Sequence, residues 1–221
     1  MIGDVYGELD RRLRDVGLML RGGLVASETL PELDNGETAG TILLVGHAGS
    51  TLWPHFSEYL RRSPGTDPLD RWTRFVIEPV AQQFGCQALY PFEKPWWPFQ
   101  RWVSEIEGLR PSPFGILIHP AFGLWHGYRA ALAFRKTLSV PERQNLPHPC
   151  DGCRDRPCIS ACPAEAISTS GFSVEPCRSY LASDEGGASC MLAGCSARNA
   201  CPVGAEFRYV EPQLRFHMAA L

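Results

Sequence analysis

Apolar residues recur at steps of three and four across residues 4 to 20 (Val5, Leu9, Leu13, Val16, Leu20), the spacing of one helix face. A polar, turn-rich stretch, PELDNGETAG, separates them from TILLVG at 41–46, an apolar run of buried-strand length. Gly46 to Ser50 turns the chain, and Ser50 stands where it can cap a helix running to about Arg62. In SPGTDPLDRW the next helix begins, with Asp67 at the cap and Pro68 at the first helical position. Its predicted buried face is Leu69, Trp72, Phe75, Val76 and Val80, and Gly85 ends it. QALYPF is a strand candidate, a helix follows from about Pro98 to Leu109, and GILIHP (115–120) and YRAALAFRK are strands around the turn AFGLWHG.

The order helix, strand, helix, helix, strand, helix, strand, strand places the first part of the chain in a mixed α+β layer rather than a bundle. PERQNLPHP, polar with three prolines, marks the boundary to a cysteine-rich tail. Two domains are therefore expected, 1–142 and 143–221. Apolar content of 44% and charged content of 20% belong to an ordinary globular protein, and a net charge of −3 argues against a nucleic-acid partner. The acidic N-terminus MIGDVYGELDRR is unlike an export signal, and no apolar run is long enough to span a bilayer. The expectation is a cytoplasmic protein without a membrane partner, in a compartment where clustered cysteines mean metal rather than disulfides.

Nine cysteines are present, and eight fall between 150 and 201. The first set is Cys150, Cys153, Cys158 and Cys162-Pro163; the second is Cys177, Cys190, Cys195 and Cys201-Pro202. The two runs, each closed by Cys-Pro, resemble those of bacterial two-cluster ferredoxins, in which the fourth cysteine of each run ligates the other cluster. Carried over, that exchange implies one [4Fe–4S] cluster on Cys150, Cys153, Cys158 and Cys201. A second would sit on Cys162, Cys177, Cys190 and Cys195. Zinc is the competing reading, since Cys150 and Cys153 form a C-x2-C pair. The second run has no matching knuckle. Four residues between Cys153 and Cys158, instead of the usual two, widen one loop without changing the ligand count. AEAIS after Pro163 resembles the ferredoxin segment that continues into a short helix and strand. The ninth cysteine, Cys86, follows the helix-ending Gly85 and reads as a packed thiol.

GILIHPAFGLWHGYRAALAF (115–134) resembles a strand–loop–strand motif of the CblC-type cobalamin-processing family (methylmalonic aciduria and homocystinuria type C). The matching positions are Ile118, His119, Pro120, Phe122, Gly123, Trp125 and Arg129, with Leu124 in place of a second glycine. TILLVGHAGSTLWPHF and the Asp67-Pro68-Leu69-Asp70 signature fit the same family. The resemblance implies a nitroreductase-like domain with a cavity for base-off cobalamin, lined by His119, Pro120, Phe122, Gly123, Trp125 and Arg129. Epoxyqueuosine reductase and reductive dehalogenases join a related domain to a two-cluster module in the same order, and PCRSYLASDEG resembles a stretch of the former.

On the residues alone these positions keep plainer readings beside the implied ones. His119 and Trp125 also fit a hairpin loop packed by its aromatic, and Arg129 a strand arginine in a salt bridge. His126 and Tyr128 are proton donors or merely exposed loop residues. Trp96, Trp97 and Trp102 are core or lid, or an apolar wall for a flat macrocycle. VGHAGST lacks the lysine of a phosphate loop and reads as a turn, and Asp67 and Asp70 belong to a helix start. Together these readings describe an oxidoreductase: an α+β, nitroreductase-like domain followed by a small ferredoxin-like domain. It would pass single electrons from an upstream donor through two [4Fe–4S] clusters to a corrinoid, as cobalamin processing or cobalamin-dependent reduction. The alternatives are an electron-carrier ferredoxin whose N-terminal domain docks a redox partner, and a cobalamin-dependent epoxide or halide reductase.

Overall fold

The structure, a computed structural model, describes residues 4–221; Met1, Ile2 and Gly3, part of the stretch read as unlike an export signal, lie outside the described residues. The chain is a mixture of helix and sheet, α+β in class. It divides into two compact units, Met1–Gly108 with Gly127–Asn145, and Leu109–His126 with Leu146–Leu221.

In the first unit α1 (Val5–Arg14) starts at Asp4, whose carboxylate accepts from the Gly7 amide at 3.0 Å. It buries Leu9 and Leu13 as the periodicity requires, but it stops at Arg14, six residues short of the predicted end. Gly17 takes φ +75°, and a Cβ there would overlap the Thr51 carbonyl. The chain leaves that turn as strand β1 (Met19–Val25), so Leu20, in phase with the helix, belongs to a sheet instead. β1 pairs antiparallel with β2 (Thr41–Ala48), Met19 opposite Gly46 and Val25 opposite Thr41. Every residue of β2 is buried.

α2 (Trp53–Arg62) begins three residues after Ser50, whose carbonyl accepts from the Trp53 amide at 3.0 Å; Leu52 holds the cap position. α3 (Pro68–Phe84) runs from Asp67 to Gly85 as expected, although the Asp67 side chain makes no capping bond. Its inner face is Trp72, Thr73, Ile77, Val80 and Ala81. Phe75, predicted on that face, is 65% exposed, because Trp72 and Ile77 set the phase. Phe56 meets Trp72 edge-on at 5.9 Å and joins α2 to α3. β3 (Gln87–Leu89) and α4 (Phe99–Glu107) follow, and Trp102 on α4 is fully buried with its Nε1–H donated to the Thr29 carbonyl. After β4 (Arg110–Pro111) and β5 (Leu117–Ile118), β6 (His126–Phe134) pairs antiparallel with β3 and completes a sheet of order β1-β2-β6-β3.

Arg21 on β1 is buried and bonded through Nε and Nη2 to both carboxylate oxygens of Glu107, at 2.7 and 2.8 Å. The Tyr128 hydroxyl also donates to Glu107. A buried charge held this way tolerates the low dielectric of a core.

The second unit holds the β4–β5 hairpin, with Arg110 opposite Ile118, and then a series of short elements. These are a 3-10 turn at Pro149–Asp151, α5 (Pro157–Ser160), the two-residue strands β7 (Ile167–Ser168) and β8 (Gly171–Phe172), α6 (Val174–Leu181), α7 (Asp184–Ala188), α8 (Cys190–Ala193), α9 (Ser196–Ala200), a 3-10 turn at Ala205–Phe207 and α10 (Glu211–Met218). Among the described residues no helix is long and apolar enough to cross a membrane.

Candidate functional site

The short elements of the second unit carry the eight clustered cysteines. Cys150 lies in the first 3-10 turn and Cys158 in α5, Cys177 in α6 and Cys190 in α8, while Cys195 and Cys201 flank α9. Pro157 starts α5. Pro202 follows Cys201 where the backbone is already extended (φ −65°, ψ +124°), the conformation a following proline favours.

Two cavities result, and the cysteines divide four and four between them. Cys150, Cys153, Cys158 and Cys201 line one, together with Phe114, Ile118 and Leu124. Cys162, Cys177, Cys190 and Cys195 line the other, with Tyr180, Arg198 and His217. The first contains about 430 Å³ of empty space and the second about 990 Å³, counting their open mouths. The division cuts across the sequence: Cys162 leaves its run to join the second cavity, and Cys201 returns to the first.

The electrostatics follow the same partition. Burial pushes the thiols of Cys150, Cys158 and Cys201 above the ordinary range, and the neighbours that push further are Cys201, Cys158 and Cys153. Burial likewise raises Cys177 and Cys195, with Cys162 and Cys190 adding to it. For these five thiols, the cysteines named as raising each one belong to its own set. Backbone amides oppose the burial, those of Arg198 and Ala197 at Cys195 and that of Val203 at Cys201. Four partly buried acids whose charged forms repel one another make a donor set that a polycation relieves. Among the described residues no three His, Cys, Asp or Glu side chains close to the spacing of a single-ion site. Four thiolates on a tetrahedral zinc would stand about 3.8 Å apart, as Zn–S bonds of about 2.3 Å require.

Cys86 stands apart from both sets, in the first unit. It follows the αL residue Gly85 and donates its thiol proton to the Ala81 carbonyl at 3.7 Å, and burial pushes its pKa up to about 12. Cys86→Ser should leave the bound iron and sulfide unchanged, and at pH 8 iodoacetamide should label the eight other cysteines of metal-free protein before Cys86, read by peptide mass.

The loop 119–125 belongs to the second unit, and of its residues Leu124 lines the first cavity. His119 and Gly123 exchange backbone hydrogen bonds at 2.9 and 2.8 Å, and His119 Nδ1 accepts from the amides of Ala121 and Phe122. Its ring stacks on Phe122 at 4.3 Å, and Phe122 meets Phe207 edge-on. A Cβ on Gly123 would overlap the Val203 carbonyl, and Ile118 and Leu124 pack against Cys201. Pro120 is half-buried in the turn. Trp125 is fully buried, with Tyr209 edge-on at 5.3 Å and the Arg198 guanidinium 4.4 Å above it. His126, expected in an exposed loop, is buried, with Nε2 3.1 Å from the Leu117 carbonyl.

In the first unit Arg129 bonds Asp70 at 2.5 Å and Thr73 Oγ1 at 3.0 Å, so Asp70 serves an ion pair as well as a helix start. Tyr128 is bound to Glu107 and Arg21, and burial raises its pKa above the ordinary phenol range, which makes it a weaker acid. Trp97 stacks on Trp102 at 6.3 Å while Trp96 is 67% exposed, so the three tryptophans are divided between core and surface. Tyr180, Arg198 and His217 line the second cavity without having been singled out from the sequence. No spacing pattern marks them.

No protein-family model matches the chain, and no curated protein does. Solved structures do. The structure of epoxyqueuosine reductase from Streptococcus thermophilus superposes with a TM-score of 0.54 at 12% identity, over 91% of this chain. This chain spans 66% of that protein's length. The B12-trafficking protein CblC of C. elegans, a human MMACHC homologue, gives 0.51 at 13% identity, covering 96% of this chain and 90% of that one. An epoxyqueuosine reductase bound to an epoxyqueuosine-modified tRNA-Tyr stem loop gives 0.51 at 12%, over 95% and 68%. At these identities what is shared is the fold: the chain has the architecture common to CblC and epoxyqueuosine reductase.

Proposed function

We propose that the chain is an iron–sulfur oxidoreductase that passes single electrons to a corrinoid. The observation that carries this reading is the division of eight cysteines into two cavities of four. Cys150, Cys153, Cys158 and Cys201 would hold one [4Fe–4S] cluster, and Cys162, Cys177, Cys190 and Cys195 the other, which makes the second unit ferredoxin-like. When bound, such clusters take up and release one electron at a time. The thiolates would supply the ligands, and the amides of Ala197, Arg198 and Val203 favour the charged forms of Cys195 and Cys201 against the larger effect of burial. Ile118 and Leu124 give the first set an apolar wall that limits water.

The corrinoid enters through the fold, which CblC shares over nearly the whole of both chains. His119, Pro120, Phe122, Gly123 and Trp125 line neither cysteine cavity but belong to the loop that packs on the segment after Cys201, and Arg129 is held by Asp70. Their service to a corrinoid is therefore as a support for the cluster side. An epoxide reductase is the second reading, since two of the superposing structures are epoxyqueuosine reductases.

The test is anaerobic. Protein reconstituted with iron and sulfide, then reduced by one electron per cluster, is mixed with hydroxocobalamin, and the visible spectrum is monitored. Loss of the cobalt(III) bands in the reconstituted protein, and not in its metal-free form, is expected. No binding and no spectral change would remove the corrinoid and leave an electron carrier.

A further inference from the structure

Arg198 on α9 lines the second cysteine cavity. Its guanidinium carbon lies 4.4 Å from the Trp125 ring centroid and 4.8 Å from that of Tyr209, and Nη2 donates to the Leu124 carbonyl. Its Nε is buried and has no acceptor. Among the described residues no carboxylate comes within ion-pair distance of it. Arg198 is half-buried, with its guanidinium against both rings, and a cation partly withdrawn from water in this way is stabilised by a counter-charge. The rings offer their faces but no net charge. The groups in its cavity that ligation would turn into anions are the thiols of Cys162, Cys177, Cys190 and Cys195.

We propose that Arg198 is the counter-cation of the iron–sulfur group on those four cysteines, and that it raises that group's reduction potential above that of the group in the first cavity. The proposal rests on the cluster reading above. One-electron reduction adds a negative charge to a group that is already anionic, so a fixed cation beside it stabilises the reduced form more than the oxidised one; net charge and hydrogen bonds to sulfur are the protein's levers on such potentials. The first set also has arginines, Arg156 acting on Cys150 and Arg208 on Cys201, but both side chains are exposed, and solvent screens them. Arg198 is thus a positioning charge that makes the second group the first to fill.

The experiment is a redox titration of the reconstituted protein monitored by electron paramagnetic resonance, on wild type, Arg198→Lys, Arg198→Met and Arg198→Gln. Two separable one-electron waves are expected, the upper one absent in Cys177→Ala. Both neutral variants should weaken the upper reduction at least tenfold, about 59 mV for one electron, while Arg198→Lys stays near wild type. Neutral variants that fail to hold the second group while the lysine variant holds it would also support the charge assignment. A single unresolved wave in wild type, an upper wave that the neutral variants do not move, a lysine variant displaced as far as the methionine one, or loss of the group in all three would overturn it. Failure of the cluster reading looks different: the wild-type protein would take up no iron and sulfide and show no waves.

Discussion

Cys158→Ala combined with Cys162→Ala should strip the protein of both iron–sulfur groups, although the two residues lie four positions apart in one run. Reconstituted wild type is expected to hold about eight iron and eight sulfide per chain, and each single variant about four of each. The double variant should hold none, because Cys158 lines the first cavity and Cys162 the second. Cys162→Ala with Cys190→Ala should be no worse than Cys162→Ala alone, since both belong to one set. Cys201→Ala should behave as Cys158→Ala does. If each run instead held its own group, the Cys158/Cys162 pair would cost one group and the Cys158/Cys201 pair two, the reverse pattern. Iron and sulfide content of these variants decides the matter, and a zinc-only wild type would end it.

The two cysteine runs were legible because cysteine spacing is a strong signal and because proline after a cysteine has a backbone consequence that survives in the fold, whereas their exchange between two sets came only from the resemblance to two-cluster ferredoxins. α3 was legible for the same kind of reason: Pro68 and Gly85 mark its two ends by conformational preference, whatever packs against it. The misreadings have one cause in common. Leu20 fits the period of α1, but its place is decided by a turn at Gly17 that must clear the Thr51 carbonyl and by pairing with β2. Phe75 fits a helical stripe, but the wide stripe of α3 could be rotated, and the aromatic contact between Phe56 and Trp72 selects one rotation. Both outcomes depend on partners distant in sequence. Arg198 shows the limit most plainly, because its ring partners and its carbonyl acceptor lie 11 to 74 residues away, and nothing local distinguishes a half-buried arginine from an exposed one. The motif at 119–125 was visible as a motif, yet its packing against the residues after Cys201 was not.

Gly123→Ala tests that packing. The loop 119–125 and the segment after Cys201 cross with a glycine on each side: a Cβ on Gly123 would overlap the Val203 carbonyl, and one on Gly204 would overlap the Phe122 backbone. Both residues have positive φ, 57° and 65°. Neither obstacle is the end of a flexible side chain, so relief requires the two backbones to separate, and Cys201 is two residues from Val203. The expected outcome is a loss of about 3 kcal/mol or more in denaturant unfolding, the range of overpacked, strained core sites. Iron should be lost from the first set while the second keeps its own. Gly115→Ala is the control. Gly115 also has positive φ, 77°, but nothing stands within 4 Å of where its Cβ would be. It should cost only the left-handed strain of an L-residue, about 1–2 kcal/mol, and keep both groups. Equal costs at the two glycines would mean that backbone conformation alone sets the penalty, and the 119–125 loop would lose its role as the wall that holds Cys201 in place.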